Sequence, residues 1–122
     1  MDGKYENIVC IVNAGFSDEV MNAARNEGAF GGTVISARGT ASKEAEKMFD
    51  IVVHSEKEIV LILVPIEIKE KVLHAIYQKV GLNSPGQGIA FSMPVEDVIG
   101  VSSPTKKNKI SSEEAKKTTN WF

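Results

Sequence analysis

Two stretches rich in β-branched residues, separated by a long polar segment, constrain the fold of this chain more than any other feature. Residues 32–39 (GTVISARG) and 58–64 (EIVLILV) each predict a β-strand, because both are β-branched-rich and bounded by Gly or Pro. The connection between them, residues 40–57, is far longer than the roughly two to five residues of a hairpin turn. A connection of this length is usually functional or disordered, so we interpret it as a signalling loop held out by a rigid sheet.

Two further strands and two helices complete the predicted elements. Residues 5–12 (YENIVCIV) predict a central strand, and Pro94 favours an edge position or a bulge for the strand predicted at 89–95. Ser17 is suited to cap a helix that stops at Gly28. Its buried stripe is Val20, Met21, Ala23 and Ala24. A second helix is predicted at 66–80 by its apolar spacing of three and four residues, with Pro65 before it and Gly81 closing it.

The predicted elements follow the order βαββαβ, which is the split βαβ of the ferredoxin-like fold. The fold class is therefore α+β, with a four-stranded antiparallel sheet and two helices on one face. The second face of the sheet has to be covered as well, and oligomerisation covers it most simply, so we expect a homo-oligomer. This second face is predicted to carry the following apolar side chains or their neighbours: Ile8, Cys10, Val34, Val60, Ile62 and Phe91.

Length and charge describe one domain followed by a basic tail. The chain has 122 residues and a net charge of −2, which gives no indication of non-specific nucleic-acid binding. Residues 1–103 hold 9 basic and 14 acidic side chains, whereas residues 104–122 hold 5 basic and 2 acidic. We expect the tail to be solvated or docked on the body, a partner or lipid, with a short helix at 112–118 after the cap Ser111. The aromatic pair Trp121 and Phe122 is expected either to fray or to pack on a neighbouring subunit or partner.

Cysteine usage and hydropathy exclude several classes of protein. A single cysteine, Cys10, excludes an intrachain disulfide, and its apolar surroundings predict a buried side chain. The N-terminus is polar, and no apolar run approaches the roughly 18 residues needed to span a bilayer. We therefore expect a cytoplasmic protein.

Four segments, in their order and spacing, resemble a known family over roughly residues 5–102. These are residues 28–34 (GAFGGTV) leading into Arg38 and Gly39, the long loop, residues 63–65 (LVP), and residues 86–91 (GQGIAF). Together they resemble the P-II nitrogen-regulatory signal-transduction proteins, whose Gly-Asp-Gly-Lys-Ile-Phe loop is similar to the last segment. In that family the fold forms a trimer with its sheets inside. The long loop is called the T-loop (here about 40–57) and the glycine-rich loop the B-loop (here about 82–88).

The resemblance implies an adenine-nucleotide site in the cleft between adjacent subunits. The glycine-rich B-loop is consistent with it, since successive backbone N–H groups of such a turn can form an anion-binding nest. The expected effector is AMP, ADP, ATP or a cyclic nucleotide, and no cofactor is expected to be obligatory. The partner of the T-loop is expected to be a membrane transporter or a metabolic enzyme. We expect nucleotide or anion contacts from Thr33, Gly39, Thr40, Ser42, Lys43, Lys57, Gly86, Gln87 and Gly88.

Several basic positions of the family pattern are not basic here. The family's loop lysine falls at Ile89, and its two late arginines fall near Gly100 and Ser102. Its Arg-Gln pair falls at Ser42 and Lys43, so the glutamine used with Mg-ATP for 2-oxoglutarate is replaced by a lysine. Each lost charge-assisted hydrogen bond costs about 1.5–3 kcal/mol, which favours a ligand less charged than ATP. No tyrosine lies within residues 40–57, which excludes tyrosine uridylylation on this loop.

Two other functional classes are alternatives to a regulatory protein that binds an effector and acts through its T-loop. One is an effector-independent trimeric interaction module that has lost nucleotide binding, a hypothesis motivated by the missing basic residues. The other is an enzyme, for which the sequence shows no set of acid, base and nucleophile, so we expect no catalytic activity. His54 and His74 lack metal-ligand spacing, and we predict no metal site.

Overall fold

Four antiparallel strands form one sheet in the computed structural model, which describes residues 4–40, 43–50 and 55–101. The strand order is β2-β3-β1-β4, so β2 and β4 are the edge strands. This is the predicted ferredoxin-like α+β fold, and the edge position predicted for the strand with Pro94 is confirmed. The elements are β1 (Tyr5–Asn13), α1 (Ser17–Asn26), β2 (Thr33–Arg38), α2 (Lys43–Phe49), β3 (Glu56–Pro65), a 3-10 turn (Ile66–Ile68), α3 (Lys69–Val80) and β4 (Ile89–Val95).

The strand register decides which side chains face the helices. In β1 and β3 the apolar residues at even-numbered positions are fully buried against α1 and α3. Paired residues on neighbouring strands share a face, so the pairs Ile8↔Ile62 and Cys10↔Val60 place all four side chains in the helix-covered core. The core also takes Val12, Val64, Val20, Met21, Val72, Ile76 and Val80.

The open face of the sheet carries the odd-numbered residues of the strands. This corrects the set of residues that the sequence predicted for that face. Ile8, Cys10, Val34, Val60 and Ile62 do not lie on the open face, because their register places them on the side of the helices. Only Phe91 of the predicted set lies there, opposite Val9. The other apolar members are the neighbours of the predicted residues: Val9, Ile11, Ile35, Ile59, Leu61, Leu63, Ile89, Met93 and Val95. In the part of the chain that the structure describes, no further layer of the protomer covers this apolar face.

The start of α1 differs from the prediction that Ser17 caps it. Ser17 is the first helical residue, and Phe16 occupies the cap position without a side-chain hydrogen bond. The Glu58 carboxylate takes the place of a local cap, because its Oε1 accepts hydrogen bonds from the backbone N–H of Gly15 (3.0 Å) and of Ser17 (3.2 Å). A residue of β3 therefore satisfies the positive end of α1. The predicted stop at Gly28 is confirmed, since its φ of 110° is the left-handed geometry that glycine accepts.

The long T-loop contains a short helix that the sequence analysis did not predict. Helix α2 places Lys43 and Glu44 in its first turn and leaves Met48 78% exposed. Asp50 ends this segment with a positive φ of 55°. Ser42, His54 and the whole tail from 104 to 122 lie outside the described residues, so their predicted roles stay predictions. Among the residues that the structure describes, no helix has the length and apolar character required to cross a membrane.

Burial makes Cys10 a reporter of global unfolding. Desolvation raises the pKa of its thiol from 9.0 to about 12, so at pH 8 the folded chain carries roughly a thousandfold less thiolate than the unfolded chain. We expect a thiol reagent at pH 8 to label Cys10 at least a thousandfold faster in denaturant than in buffer. Because the folded pKa is the higher one, we also expect stability to fall as pH rises above about 9. Similar labelling rates with and without denaturant would contradict this placement of Cys10.

Candidate functional site

Lys57 and Asn13 meet at the end of the sheet from which the T-loop departs. The two residues lie opposite each other in the β1–β3 ladder, and the Lys57 ammonium donates a hydrogen bond of 2.7 Å to Oδ1 of Asn13. Asn13 is only 4% exposed, whereas Lys57 is half-buried. Burial lowers the pKa of Lys57, because desolvation disfavours its charged form. An anion bound beside this ammonium would stabilise its charged form, and the attraction is stronger where the group is partly shielded from water.

The same Asn13 amide holds the B-loop against the sheet. Its Nδ2 donates to the carbonyl oxygen of Pro85 at 2.9 Å and to Oε1 of Gln87 at 3.3 Å. Its backbone N–H donates to the carbonyl oxygen of Gly86 at 2.8 Å. One buried residue therefore connects Lys57 with three consecutive residues of the B-loop, and it brings the predicted site residues Lys57, Gly86 and Gln87 together.

The two B-loop glycines have a packing role in the protomer. A Cβ at Gly86 would lie 3.1 Å from Cβ of Val80, and a Cβ at Gly88 would overlap the Val80 carbonyl oxygen and lie 2.9 Å from Cγ1 of Val12. Gly88 also donates its N–H to that carbonyl oxygen. Close approach of the B-loop to the end of α3 therefore requires small residues here, whatever the loop binds.

The root of the T-loop is built around the stem of Lys57. The Gly39 N–H donates to the Ser55 carbonyl oxygen at 2.6 Å, which closes the two ends of the loop. A Cβ at Gly39 would lie 3.0 Å from Cε of Lys57, so this glycine leaves room for the lysine side chain. Thr40 and Lys43 follow within the next few residues and are exposed.

Thr33 is a predicted site residue that lies far from this cluster within the protomer. It pairs with Leu61 in β3, whereas Ala37 is the β2 residue that pairs with Lys57. Four residues of strand separate the two positions, which is about 13 Å at roughly 3.3 Å per residue. Within one protomer, Thr33 and Lys57 are therefore too far apart to contact the same ligand unless that ligand is long.

Two cavities lie near the B-loop. The one beside the cluster measures about 360 Å³ and is lined by Asn13, Ala14, Phe16, Glu56 and Pro85. The other measures about 490 Å³, lies between α3 and β4, and has mostly apolar walls. His74 lines this second cavity, and no three metal-ligating side chains cluster anywhere in residues 4–40, 43–50 and 55–101.

Sequence reasoning did not identify Asn13 or Glu58 as residues of this region. The first predicted strand ends at residue 12, which leaves Asn13 outside the predicted elements, and Glu58 is predicted only as the start of a strand. A weak signal existed, because each is a polar residue at the boundary of a run of apolar strand residues. Their partners lie 72 residues away for Asn13 and 43 for Glu58, so no local pattern identifies them.

Comparison with known proteins agrees with the fold and with the motifs. The family model for the nitrogen regulatory protein P-II matches residues 5–104. Among solved structures, the PII protein of Arabidopsis thaliana bound to citrate is similar, with 28% identity and a TM-score of 0.60 over 80% of this chain and 81% of that one. Among curated proteins, no sequence matches this chain significantly.

More distant solved structures share the fold. The GlnK–ATP complex of B. subtilis is 15% identical, with a TM-score of 0.63 over 82% of this chain and 91% of that one. A PII-like signalling protein of Thermus thermophilus is 17% identical, with a TM-score of 0.58 over 78% of this chain and 90% of that one. The four-stranded sheet, the long loop after β2 and the match over residues 5–104 converge, and the chain belongs to the P-II family of nitrogen regulatory proteins.

Proposed function

We propose that this chain is a trimeric, non-catalytic sensor that binds a small anionic effector between subunits and controls a partner protein through its T-loop. The observation that carries the proposal is the position of the Lys57 ammonium, which lies at the root of the T-loop and is tied through Asn13 to the B-loop. An anion at this place touches both loops at once. A ligand acts on such a switch only through its different affinity for the two loop states.

The ligands of similar proteins support an anionic effector. The Arabidopsis thaliana PII structure holds citrate and the B. subtilis GlnK structure holds ATP, and both molecules are multiply charged anions. We propose that an adenine nucleotide fills the site here. The residue set favours AMP, ADP or a cyclic nucleotide over ATP, because Ile89 and Gly100 supply no positive charge where the family pattern has basic residues.

The open face of the sheet supports the trimer. Phe91 and Met93 are each 44% exposed, Ile35 is 42% exposed, and all three lie on the same face of the protomer. An apolar surface of this kind is normally covered by another layer or by another subunit. In such a trimer we propose that Thr33 contributes to the site between subunits, because the resemblance makes it a contact position.

Calorimetry on the full chain tests the effector. We expect AMP, ADP, ATP or cyclic AMP to bind, and we expect Lys57→Met to weaken binding about tenfold or more, because it removes one charge-assisted hydrogen bond and keeps the stem of the side chain. Lys79→Met is the matched control, since Lys79 is an exposed lysine in the last turn of α3. We expect this control to bind like the unmodified chain.

Two results would contradict the sensor. One is an intact trimer that binds none of these nucleotides, citrate or bicarbonate at millimolar concentration. The other is equal loss of affinity in the Lys57 and Lys79 variants, which would mean that any surface charge matters equally. Both results leave the fold and the family assignment untouched.

The effector-independent interaction module is the second candidate. It is favoured by the packing role of Gly86 and Gly88, which explains both glycines without any bound phosphate. Under this hypothesis a partner protein binds the T-loop with the same affinity whether or not any metabolite is present. Capture that changes with ADP or citrate would exclude the module.

A further inference from the structure

The Asn13 side chain forms a continuous chain of polar contacts from the T-loop root to the B-loop. The Lys57 ammonium donates to its Oδ1, and its Nδ2 donates to the Pro85 carbonyl oxygen and to Oε1 of Gln87. The orientation of the amide follows from chemistry, because an ammonium needs an acceptor and a carbonyl oxygen needs a donor. The group is buried, so these partners replace water rather than compete with it.

A positive charge on one side of an amide strengthens the hydrogen bonds that the amide donates on its other side. The ammonium draws electron density toward Oδ1, which makes the Nδ2 protons better donors, and the effect is larger where water is excluded. The hydrogen bonds from Asn13 to the B-loop are therefore stronger when the Lys57 ammonium is present at Oδ1. No direct hydrogen bond joins Lys57 to the B-loop in the described part of the chain, so Asn13 is the polar link between them.

We infer that Asn13 is a positioning residue that couples the charge state around Lys57 to the conformation of the B-loop. A bound anion that attracts the ammonium away from Oδ1 weakens the hydrogen bonds to Pro85 and Gln87 and releases the loop. The coupling is reciprocal, so a B-loop that has left Asn13 also changes the affinity at Lys57. This inference rests on the proposed function for its ligand, whereas the link between the two loops is a property of the unliganded protein.

The geometry of the B-loop supports a loop that Asn13 restrains. Gln87 has a positive φ of 46°, which a residue other than glycine adopts only when its surroundings hold it. The loop is otherwise closed by three backbone hydrogen bonds, from Ser84 to Gly81 (2.9 Å), from Gln87 to Ser84 (3.0 Å) and from Gly88 to Val80. Asn13 adds three hydrogen bonds from β1 to this turn, and two of them come from its side chain.

A double-mutant cycle in the absence of ligand tests the link. Amide hydrogen exchange at Gln87 and Gly88 is measured in the full chain and in Lys57→Met, Asn13→Ala and the combined variant. We expect Lys57→Met to accelerate exchange at both amides about threefold to tenfold, because the donor strength of Asn13 falls. In the Asn13→Ala variant we expect Lys57→Met to cause no further increase in the exchange rates, since the side-chain link between the two loops is already lost.

Asn13→Asp and an Asn22→Asp control keep the test falsifiable. The aspartate has nearly the same shape but cannot donate to Pro85, so we expect fast exchange in the B-loop although the ion pair with Lys57 is stronger. We also expect at least tenfold weaker binding of ADP, because the new carboxylate neutralises the ammonium. Asn22→Asp makes the same change at an exposed position on α1, away from the open face, and should leave both the exchange rates and the affinity for ADP unchanged.

The outcomes separate this inference from the proposed function. Exchange that does not respond to Lys57→Met, or that responds equally with and without Asn13, overturns the coupling even if ADP binds at Lys57. If the cycle shows the coupling but the chain binds no nucleotide, the link between the two loops is supported and the proposed sensor function is contradicted. An equal effect of Asn22→Asp on exchange at Gln87 also overturns the inference, since it would show that any added carboxylate acts in the same way.

Discussion

Phe91→Lys is expected to convert the proposed trimer into monomers at micromolar concentration. Phe91 lies on the edge strand β4, 44% exposed in the protomer, on the open face that the trimer would bury. An ammonium buried there without a partner costs several kcal/mol in each subunit, and a closed trimer contains three of them. The protomer itself should fold, because a side chain already half exposed on an edge strand can reach water. Light scattering after gel filtration gives the mass directly.

Tyr77→Lys is the matched control for this experiment. Tyr77 is a large aromatic residue, 69% exposed, on α3 at the other side of the molecule. We expect this variant to keep the mass of the unmodified protein. A second substitution on the open face, Ile35→Lys, should act like Phe91→Lys, since β2 lies at the opposite edge of the same face. A trimer that survives both open-face lysines would contradict the proposed assembly, and so would an unmodified chain that is monomeric.

Gly88→Ala is expected to destabilise this protein more than alanine at any other glycine that the structure describes. The added Cβ would overlap the Val80 carbonyl oxygen and lie 2.9 Å from Cγ1 of Val12 and 3.2 Å from Cγ2 of Val80. Val12 and Val80 belong to the closed core, so neither can move without disturbing its neighbours. We expect a loss of about 3 kcal/mol in the free energy of unfolding, measured by urea denaturation. The displaced B-loop should also lose its hydrogen bonds to Asn13.

Gly39→Ala separates crowding against the core from crowding against a flexible side chain. The nearest atom to its added Cβ is Cε of Lys57 at 3.0 Å, and this side chain can move aside. We therefore expect a loss below about 1 kcal/mol in the free energy of unfolding, together with weaker ligand binding because Lys57 is displaced. Equal stability losses in the two alanine variants would contradict the packing described for Gly88.

Local patterns in the sequence predicted the order of the elements, and the resemblance of four segments to a known family predicted the family. Periodicity, Gly and Pro placed all four strands and the two long helices with ends close to those observed, because these signals act over a few residues. Helix α2 within the T-loop escaped prediction, since its seven residues carry a weak periodic signal. The capping of α1 by Glu58 was also not predicted, because this carboxylate comes from a distant strand and takes the place of the local serine.

The faces of the sheet and the polar cluster were decided only by the tertiary structure. Runs such as residues 8–12 and 59–64 are apolar at both odd and even positions, so alternation cannot tell which set faces the helices. Register against the neighbouring strands made that choice and moved Ile8, Cys10, Val60 and Ile62 into the core. Likewise the sequence contained Asn13, Lys57 and Gln87 as separate polar residues. Folding brings Asn13 together with Lys57, 44 positions away, and with Gln87, 74 positions away, because the end of β1 and the start of β3 meet the B-loop at one end of the sheet.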